Sequence, residues 1–445
     1  MALTGIQIFK LLPKTNCGEC GTPTCLAFAM NRAAGKAELD ACPYVSEEAR
    51  AQLAEASAPP IRSVAIGAGR TEIKPGGETV LFRHEKTFYN QPAIACLVSP
   101  DQKDVDSQIA WFNAMKYERV GLTLSPEMFC VKDTGDPAAF EALVDKIVAE
   151  TDAALCLMTE DPAVMKKVAE KTKKYRPLLY AAGPSNAEEM GAVAVETGLP
   201  IAVKGGSIEE VEELTKKLAG MGVKDMVLDS GARELKAAFT DSVALRRAAL
   251  TAQNRDLGFP TIVFPGQMTD NYMEEALMAS TFIAKYGGIV VLSAFRAEAV
   301  FPLLLQRLNI YTDPQRPMTV TEGIYEINNP GPDSPVLVTT NFSLTYFIVA
   351  GEIEASRVPS WLLIKDAEGL SVLTAWAAGK FAGDDVGIFI KKSGIEDKIS
   401  HKTVVIPGYA ASISGEMEEE LPGWNVQIGP REAAHLPKYL KDWSA

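Results

Sequence analysis

From residue 93 onward, short apolar runs alternate with amphipathic stretches. The runs are 94–99 (IACLVS), 119–124 (RVGLTL), 154–159 (ALCLMT), 177–182 (PLLYAA), 199–204 (LPIAVK), 225–229 (DMVLD), 261–264 (TIVF) and 288–293 (GIVVLS). They are strand-length and nearly unbroken in apolar character, as strands buried on both faces are. Between them, segments such as PAAFEALVDKIVAE and SIEEVEELTKKLAGM carry apolar residues at helical spacing. Eight strand–helix units over roughly 230 residues predict an α/β fold built on a central (β/α)8 TIM barrel, with a doubly wound open sheet as the alternative.

The pattern changes on both sides of this region. After Asn328-Asn329-Pro330-Gly331-Pro332, strand candidates fall at 335–340, 360–365, 385–391, 403–406 and 424–428. Helical stretches at 343–354, 371–381, 411–420 and 431–441 separate them, which predicts a small open, Rossmann-like α/β sheet. Before the barrel, 61–92 reads as extended strands with a turn at Pro75-Gly76-Gly77. Helices are expected at Ile6 to Leu12, at Cys25 to Ala34, and at Glu47 to Ala56 behind the N-cap candidate Ser46. The predicted organisation is a module at 1–57, an extended linker at 58–92, the barrel at 93–324 and a C-terminal domain at 325–445.

Composition narrows the chemistry. Of 445 residues, 47% are hydrophobic and 23% charged, the balance of an ordinary globular protein. There are 44 basic and 57 acidic residues, a net charge of −13, and so acidic a surface argues against a nucleic-acid partner. No apolar run approaches the ~18 residues a membrane span requires. The start, MALTGIQIFKLLPK, has no basic n-region, so the expected location is the cytoplasm, where cysteines stay reduced. Only His84, His401 and His435 are present, too few for a multi-imidazole metal site.

The seven cysteines are unevenly spread. Cys17, Cys20, Cys25 and Cys42 give C-x2-C-x4-C-x16-C, with Gly18 and Gly21 in the loop and Pro43 after the last. Four thiolates in a polar, glycine-rich stretch have no core to fill and suit a metal centre. A zinc knuckle site favours two C-x2-C pairs, whereas a single pair followed by spaced cysteines and a Cys-Pro ending suits a [4Fe–4S] cluster. Both metals remain open on spacing alone. Cys96, Cys130 and Cys156 lie in apolar surroundings and are expected to be core residues.

Two further sets of residues sit where such folds bind ligands. Lys204 and Asp229 stand at C-terminal ends of barrel strands, either as a site or as loop caps. In the C-terminal sheet, the loops 340–343, 368–371, 407–410 and 429–430 would meet outside the strand ends. They are rich in Gly, Ser, Thr and Ala and could approach a large flat ligand by backbone contact. The segment LSVLTAWAAGK is small and apolar with Thr374 at its middle, and also reads as an ordinary buried helix.

These segments carry a resemblance. PKTNCGECGTPTC…CP, TTNFSLTYF, EGLSVLTAWAAGKF and VVIPGYAASISGEMEEELPGW occur in the order seen in the large (gamma) subunit of corrinoid iron–sulfur proteins of the reductive acetyl-CoA (Wood–Ljungdahl) pathway, and the likeness spans essentially the whole chain. The resemblance implies a methyl carrier with two cofactors, a corrinoid (cobamide) and a [4Fe–4S] cluster. Its cobalt would accept a methyl group from a methyltetrahydrofolate methyltransferase and pass it to acetyl-CoA synthase. The cluster would serve reductive reactivation of Co(II) to Co(I). Implied partners are the small subunit of a heterodimer, those two enzymes and a reductive activator protein. Cys17, Cys20, Cys25 and Cys42 match the cluster ligands, and Thr374 matches the threonine below the cobalt. Other implied corrinoid contacts are Thr340, Tyr346, Leu370, Ser371, Val372, Leu373, Gly408 and His435.

The residues themselves agree with this. No D-x-H-x-x-G motif offers cobalt an imidazole, and weak axial ligation eases reduction to Co(I). One cobalt must meet several partners in turn, so the 58–92 linker is expected to let the cluster module swing. The competing readings are a folate-dependent TIM-barrel methyltransferase with an accessory cluster, and a zinc-stabilised scaffold.

Overall fold

The computed structural model describes residues 5–33, 37, 39–46, 49–50, 53, 59–119, 122–312 and 317–445. Two compact units emerge, one formed by residues 1–81, 89–115 and 126–310, the other by 82–88, 116–125 and 311–445. Among the described residues, no helix is long and apolar enough to cross a membrane.

The first unit holds the barrel. Its strands are β1 (Ala93–Val98), β2 (Met128–Lys132), β3 (Ala154–Met158), β4 (Leu178–Ala182), β5 (Ile201–Lys204), β6 (Met226–Asp229), β7 (Ile262–Val263) and β8 (Ile289–Leu292). All pair in parallel in the order β6-β5-β4-β3-β2-β1-β8-β7, and a parallel bridge between Leu228 and Thr261 closes the ring. The barrel expectation therefore holds over the open sheet. Cys130 and Cys156 lie inside, with Met128, Ala202, Val227 and Phe264. Cys96 is equally buried, and burial pushes the Cys96 and Cys130 thiols well up, which leaves them inert core residues.

One run was assigned to the wrong strand. Residues 117–119 and 122–124 form an antiparallel hairpin in the second unit, and the barrel takes 128–132 (MFCVK) instead. Leu122 is exposed while Leu124 is buried, the half-buried alternation of a hairpin. Met128 to Val131 are all buried, as a parallel barrel strand requires.

The expected 58–92 linker is also corrected in part. Between 59 and 81 only one antiparallel bridge forms, Ile66 to Ile73. Val64, Ile66 and Ile73 are packed into the barrel core rather than extended in solvent. Arg62 N–H donates to Gly258 O (2.9 Å) and Thr71 N–H to Asp152 O (2.7 Å). Arg70 donates to Ala153 O and Val148 O, capping the end of helix Pro137–Glu150. This stretch is fastened to the barrel and cannot itself act as a swinging tether.

The N-terminal module contains helices Gly5–Leu11 and Cys25–Ala33, close to expectation. Ser46 caps a further helical turn through Ala49 N–H (3.1 Å), of which Ala49, Arg50 and Leu53 are described. The rest of the predicted 47–56 helix lies outside the described residues. The module core is small: Ile8, Leu12, Phe28, Ala29, Val45 and Leu53 pack with Cys25 and Cys42.

In the second unit, β9 (Gly323–Ile327), β10 (Val336–Thr340), β11 (Ser360–Lys365), β12 (Thr403–Ile406) and β13 (Asn425–Ile428) form one sheet. Its order is β9-β11-β10-β12-β13, parallel except for β9. Helices cover both faces, each over its own apolar core. The strand order reverses at β10, so the switch point lies between β10 and β12.

The predicted strand 385–391 is a helix, Gly383–Ser393. Val386, Phe389 and Ile390 are buried at helical spacing, Asp384 and Asp385 sit in the first turn, and Gly394 closes it in the left-handed region. The edge strand β9 escaped sequence reading because its positions are only partly buried.

Candidate functional site

At the switch point a cavity of about 190 Å³ opens at the C-terminal strand ends, lined by Thr339, Thr345, Val372, Tyr409, Arg431 and Leu436 among others. Of the four loops named from sequence, 407–410 and 429–430 line it, whereas 340–343 and 368–371 only adjoin lining residues Thr339 and Val372. Asn341, buried after β10, accepts from Ala367 N–H (2.9 Å) and Gly369 N–H (3.0 Å), and its own amide donates to Asp366 Oδ1 (2.8 Å). It thereby fixes the turn that launches helix Val372–Ala377. That helix packs against β10 and against the 408–413 turn.

The two remaining loops cross at backbone contact. Gly408 N–H donates to Pro430 O (3.1 Å), and Gly429 N–H to Ile406 O (2.9 Å). A Cβ on Gly408 would stand 2.6 Å from Gly429 O and 2.8 Å from Arg431 N, so only glycine fits.

The strand end is chemically unfinished. Thr339, which lines the cavity, Thr340, on the other face of β10, and Ser343 just beyond are buried, and their hydroxyls have no hydrogen-bond partner. Buried hydroxyls are normally satisfied, at a cost of about 1–3 kcal/mol each when they are not. The rim is apolar and open to solvent: Leu344, Ile348, Leu373, Trp376, Tyr409 and Ile428 are all exposed. Apolar side chains gathered this way around strand ends suit a large ligand or a partner.

The predicted contacts scatter about this cavity. Val372 lines it, and Gly408 lies between lining residues Pro407 and Tyr409. Thr340 is wholly buried on the other face of β10. Leu370 packs on the sheet core. Ser371 and Thr374 pair through their hydroxyls (3.0 Å), with Thr374 and Leu373 facing solvent. Tyr346 packs instead on Tyr325, the rings 5.0 Å apart and tilted by 55°. His435 lines a separate groove with Lys438 and Trp443. Sequence reading named Asn341 only as part of the 340–343 loop and missed Thr339, Thr345 and Arg431, which lie one or two residues outside the named loops. Which side chain turns inward there is set by the sheet pleat and the helix phase.

The cysteine loop has its own geometry. Gly18 and Gly21 both take φ of +78°, and Gly21 N–H donates to Gly18 O (2.9 Å). Cys17 is exposed, Cys20 half-buried, and Cys25 and Cys42 buried. Among the described residues, no three His, Cys, Asp or Glu side chains are gathered tightly enough to grip one ion. Tyr44 OH donates to Glu19 Oε1 (2.8 Å), joining the Cys17–Cys20 step to the Cys42 turn.

The barrel mouth also opens into a cavity, of about 530 Å³, lined by Lys132, Asp133, Glu160, Tyr180, Lys204 and Arg233 among others, but the buried carboxylate at its base is already partnered. Asp229 is 2% exposed and accepts from Tyr180 OH (2.5 Å), both Arg233 terminal nitrogens (3.0 and 2.8 Å) and Gly231 N–H (2.8 Å). Burial and then the Asp229 charge push the Tyr180 phenol far up. Lys204 reaches Glu160 at 3.6 Å. The Asp229 lone pairs are consumed within the chain, which is what the loop-cap reading of these residues expected.

The fold and its sites thus define a modular α/β protein that combines a four-cysteine loop, a barrel and an open-sheet cleft with unpartnered hydroxyls at its strand ends. The CO dehydrogenase/acetyl-CoA synthase delta subunit family matches residues 63–440, and an Fe-S cluster family matches 12–44. The chain is 45% identical over 444 residues to the corrinoid/iron-sulfur protein large subunit of Moorella thermoacetica, covering 99% of each. It is 35% identical over 453 residues to the acetyl-CoA decarbonylase/synthase complex subunit gamma of Methanopyrus kandleri, covering 99% of this chain and 97% of that one. The same subunit of Archaeoglobus fulgidus is 35% identical over 465 residues, with 98% of each chain covered. The chain belongs to the family of corrinoid/iron–sulfur protein large subunits and acetyl-CoA decarbonylase/synthase gamma subunits.

Proposed function

We propose that this chain is a methyl-group carrier, holding a corrinoid at the C-terminal cleft and a [4Fe–4S] cluster on Cys17, Cys20, Cys25 and Cys42. When bound, the corrinoid supplies a nucleophilic Co(I) that takes a methyl group from a methyltetrahydrofolate methyltransferase and yields it to acetyl-CoA synthase, and the cluster supplies the electron that restores Co(I) from Co(II).

The observation that carries the reading is the switch-point cleft with the partnerless Thr339 hydroxyl in its wall. Thr339 offers a donor and acceptor to a polar appendage of the macrocycle, and the hydroxyls of Thr340 and Ser343 are left unpartnered at the same strand end. Arg431 adds a cation at the cavity wall. Gly408 and Gly429 keep the loops thin, and the exposed Leu373, Trp376 and Tyr409 give a ring system apolar cover. The small subunit would close the opposite side of the ligand, and a reductive activator would deliver electrons through the cysteine module.

No imidazole lines the cleft, and His435 lines the neighbouring groove instead, so the cleft residues would offer a bound corrinoid no nitrogen ligand. His401 is occupied at both nitrogens, by Thr403 N–H (3.1 Å) and Ser334 O (3.0 Å), and His84 stacks on Phe82. Thr374 carries only a hydroxyl, which binds metals poorly. In the cysteine module, a cluster would seat each of the four thiolates on a different iron.

Purified with its small subunit, the protein should hold about four irons and one cobalt per chain, as a four-cysteine cluster and one corrinoid require. Zinc without iron would overturn the reading. Thr374→His should make Co(II) harder to reduce, seen as a more negative potential in a spectroscopic titration. An unchanged potential would remove Thr374 from beneath the cobalt.

A further inference from the structure

We infer that Thr22 and Asn16 set the reduction potential of the cysteine-bound cluster by hydrogen bonding to two of its four sulfurs. The inference rests on the cluster reading above and adds two positioning residues to it.

Thr22 follows Gly21, and its Oγ1 lies 2.9 Å from Cys20 Sγ. Against a metal-bound thiolate, which has no proton to give, the hydroxyl must be the donor. Asn16 acts on Cys25 in a reciprocal pair. Cys25 N–H, the first amide of helix Cys25–Ala33 and hence without an intrahelical acceptor, donates to Asn16 Oδ1 (2.9 Å). In return Asn16 N–H donates to Cys25 Sγ (3.4 Å). Asn16 sits at φ +49°, a left-handed conformation that asparagine tolerates and that this exchange demands.

The direction of the effect follows from charge. The reduced cluster carries one more electron, spread onto its sulfurs. A donor aimed at a sulfur therefore binds the reduced state more strongly and raises the potential. Two donors on two thiolates make reduction easier, which suits a cluster that must accept electrons and pass them on. Tyr44 and Glu19 join the same segments, but their bond ends on no sulfur. They should hold the loop without tuning it.

The test is a redox titration of the full protein with its small subunit, monitored by the spin signal of the reduced cluster. Thr22→Val keeps the side-chain shape and removes the donor. We expect about a tenfold weaker reduction equilibrium, which is 59 mV more negative for one electron, and restoration by Thr22→Ser. Asn16→Gly keeps the left-handed backbone and the N–H donor but loses the Oδ1 that pins it to Cys25, so its shift should be in the same direction and smaller than that of Thr22→Val. Tyr44→Phe should leave the potential unchanged. In wild-type protein labelled with ¹⁵N at asparagine, the reduced cluster should show an amide-nitrogen coupling, which needs no variant to fold. An iron-loaded Thr22→Val at the wild-type potential, a Thr22→Val that cannot load iron, or a missing nitrogen coupling would each overturn the inference. Wild-type protein without iron would instead sink the cluster reading itself.

Discussion

Cys20→Ala should abolish reductive reactivation while sparing methyl transfer from protein that is already reduced. The selectivity follows from how the cores are divided. Cys20 packs in the small cluster of Ile8, Leu12, Phe28 and Val45, together with Cys25 and Cys42. The barrel and the C-terminal sheet have separate cores that share no residue with it. Losing one thiolate from a four-cysteine set leaves an iron without its protein ligand, and so few apolar residues cannot hold the loop alone. Iron content and the reactivation rate should fall to those of the iron-free protein. Corrinoid content and methyl transfer from chemically reduced protein should stay near wild type. If reactivation persisted in an iron-depleted Cys20→Ala protein, the cluster would not be the electron's route.

Gly408→Ala should destabilise the C-terminal unit by about 1–3 kcal/mol, the usual range for forcing a methyl into a filled site. It should also lower corrinoid retention. The added Cβ would meet backbone on three sides: Gly429 O at 2.6 Å, Arg431 N at 2.8 Å and Pro430 C at 2.8 Å. None of these can rotate away as a side chain could. The loops after β12 and β13 must part, taking Tyr409 and Arg431 away from the cleft they line. Denaturant midpoints and cobalt per chain measure the two effects. Wild-type values of both would mean that this crossing does not shape the site.

Much of the architecture was legible in the chain, for reasons that differ by element. Helix Ile208–Gly220 was readable because Val211, Leu214, Thr215 and Leu218 recur on one face behind the Ser207 cap, and all of that information is local. Seven of the eight barrel strands were readable because burial on both faces demands unbroken apolar runs. The eighth was misassigned because RVGLTL, with Val120, Leu122 and Leu124, is apolar enough to read as a strand although MFCVK is more so. What separates them is pairing: Cys130 lies beside Leu97 and Cys156, whereas Leu124 faces Tyr117. The strand forecast for 385–391 failed similarly. A short apolar run fits either period until Phe389 and Ile390 find the sheet face they cover.

The sites divide along the same line. By itself the sequence determined the cysteine spacing, the glycines that let that loop turn left-handed, the scarcity of histidine and the succession of a cysteine module and two α/β regions. Each of these depends only on residue type and on separations of a few positions. The tertiary structure alone decided that Leu228 meets Thr261 to close the barrel and that the switch point falls between β10 and β12. It decided that Asp229 is consumed by Tyr180 and Arg233, and that Thr339, Thr340 and Ser343 are left with unspent hydroxyls. It also tied 59–81 to the barrel, where the sequence suggested a free tether. The physical reason is common to all of these. Whether a polar group is satisfied, or an apolar run covered, depends on partners tens to hundreds of residues away, and burial brings them together only once the whole chain has folded.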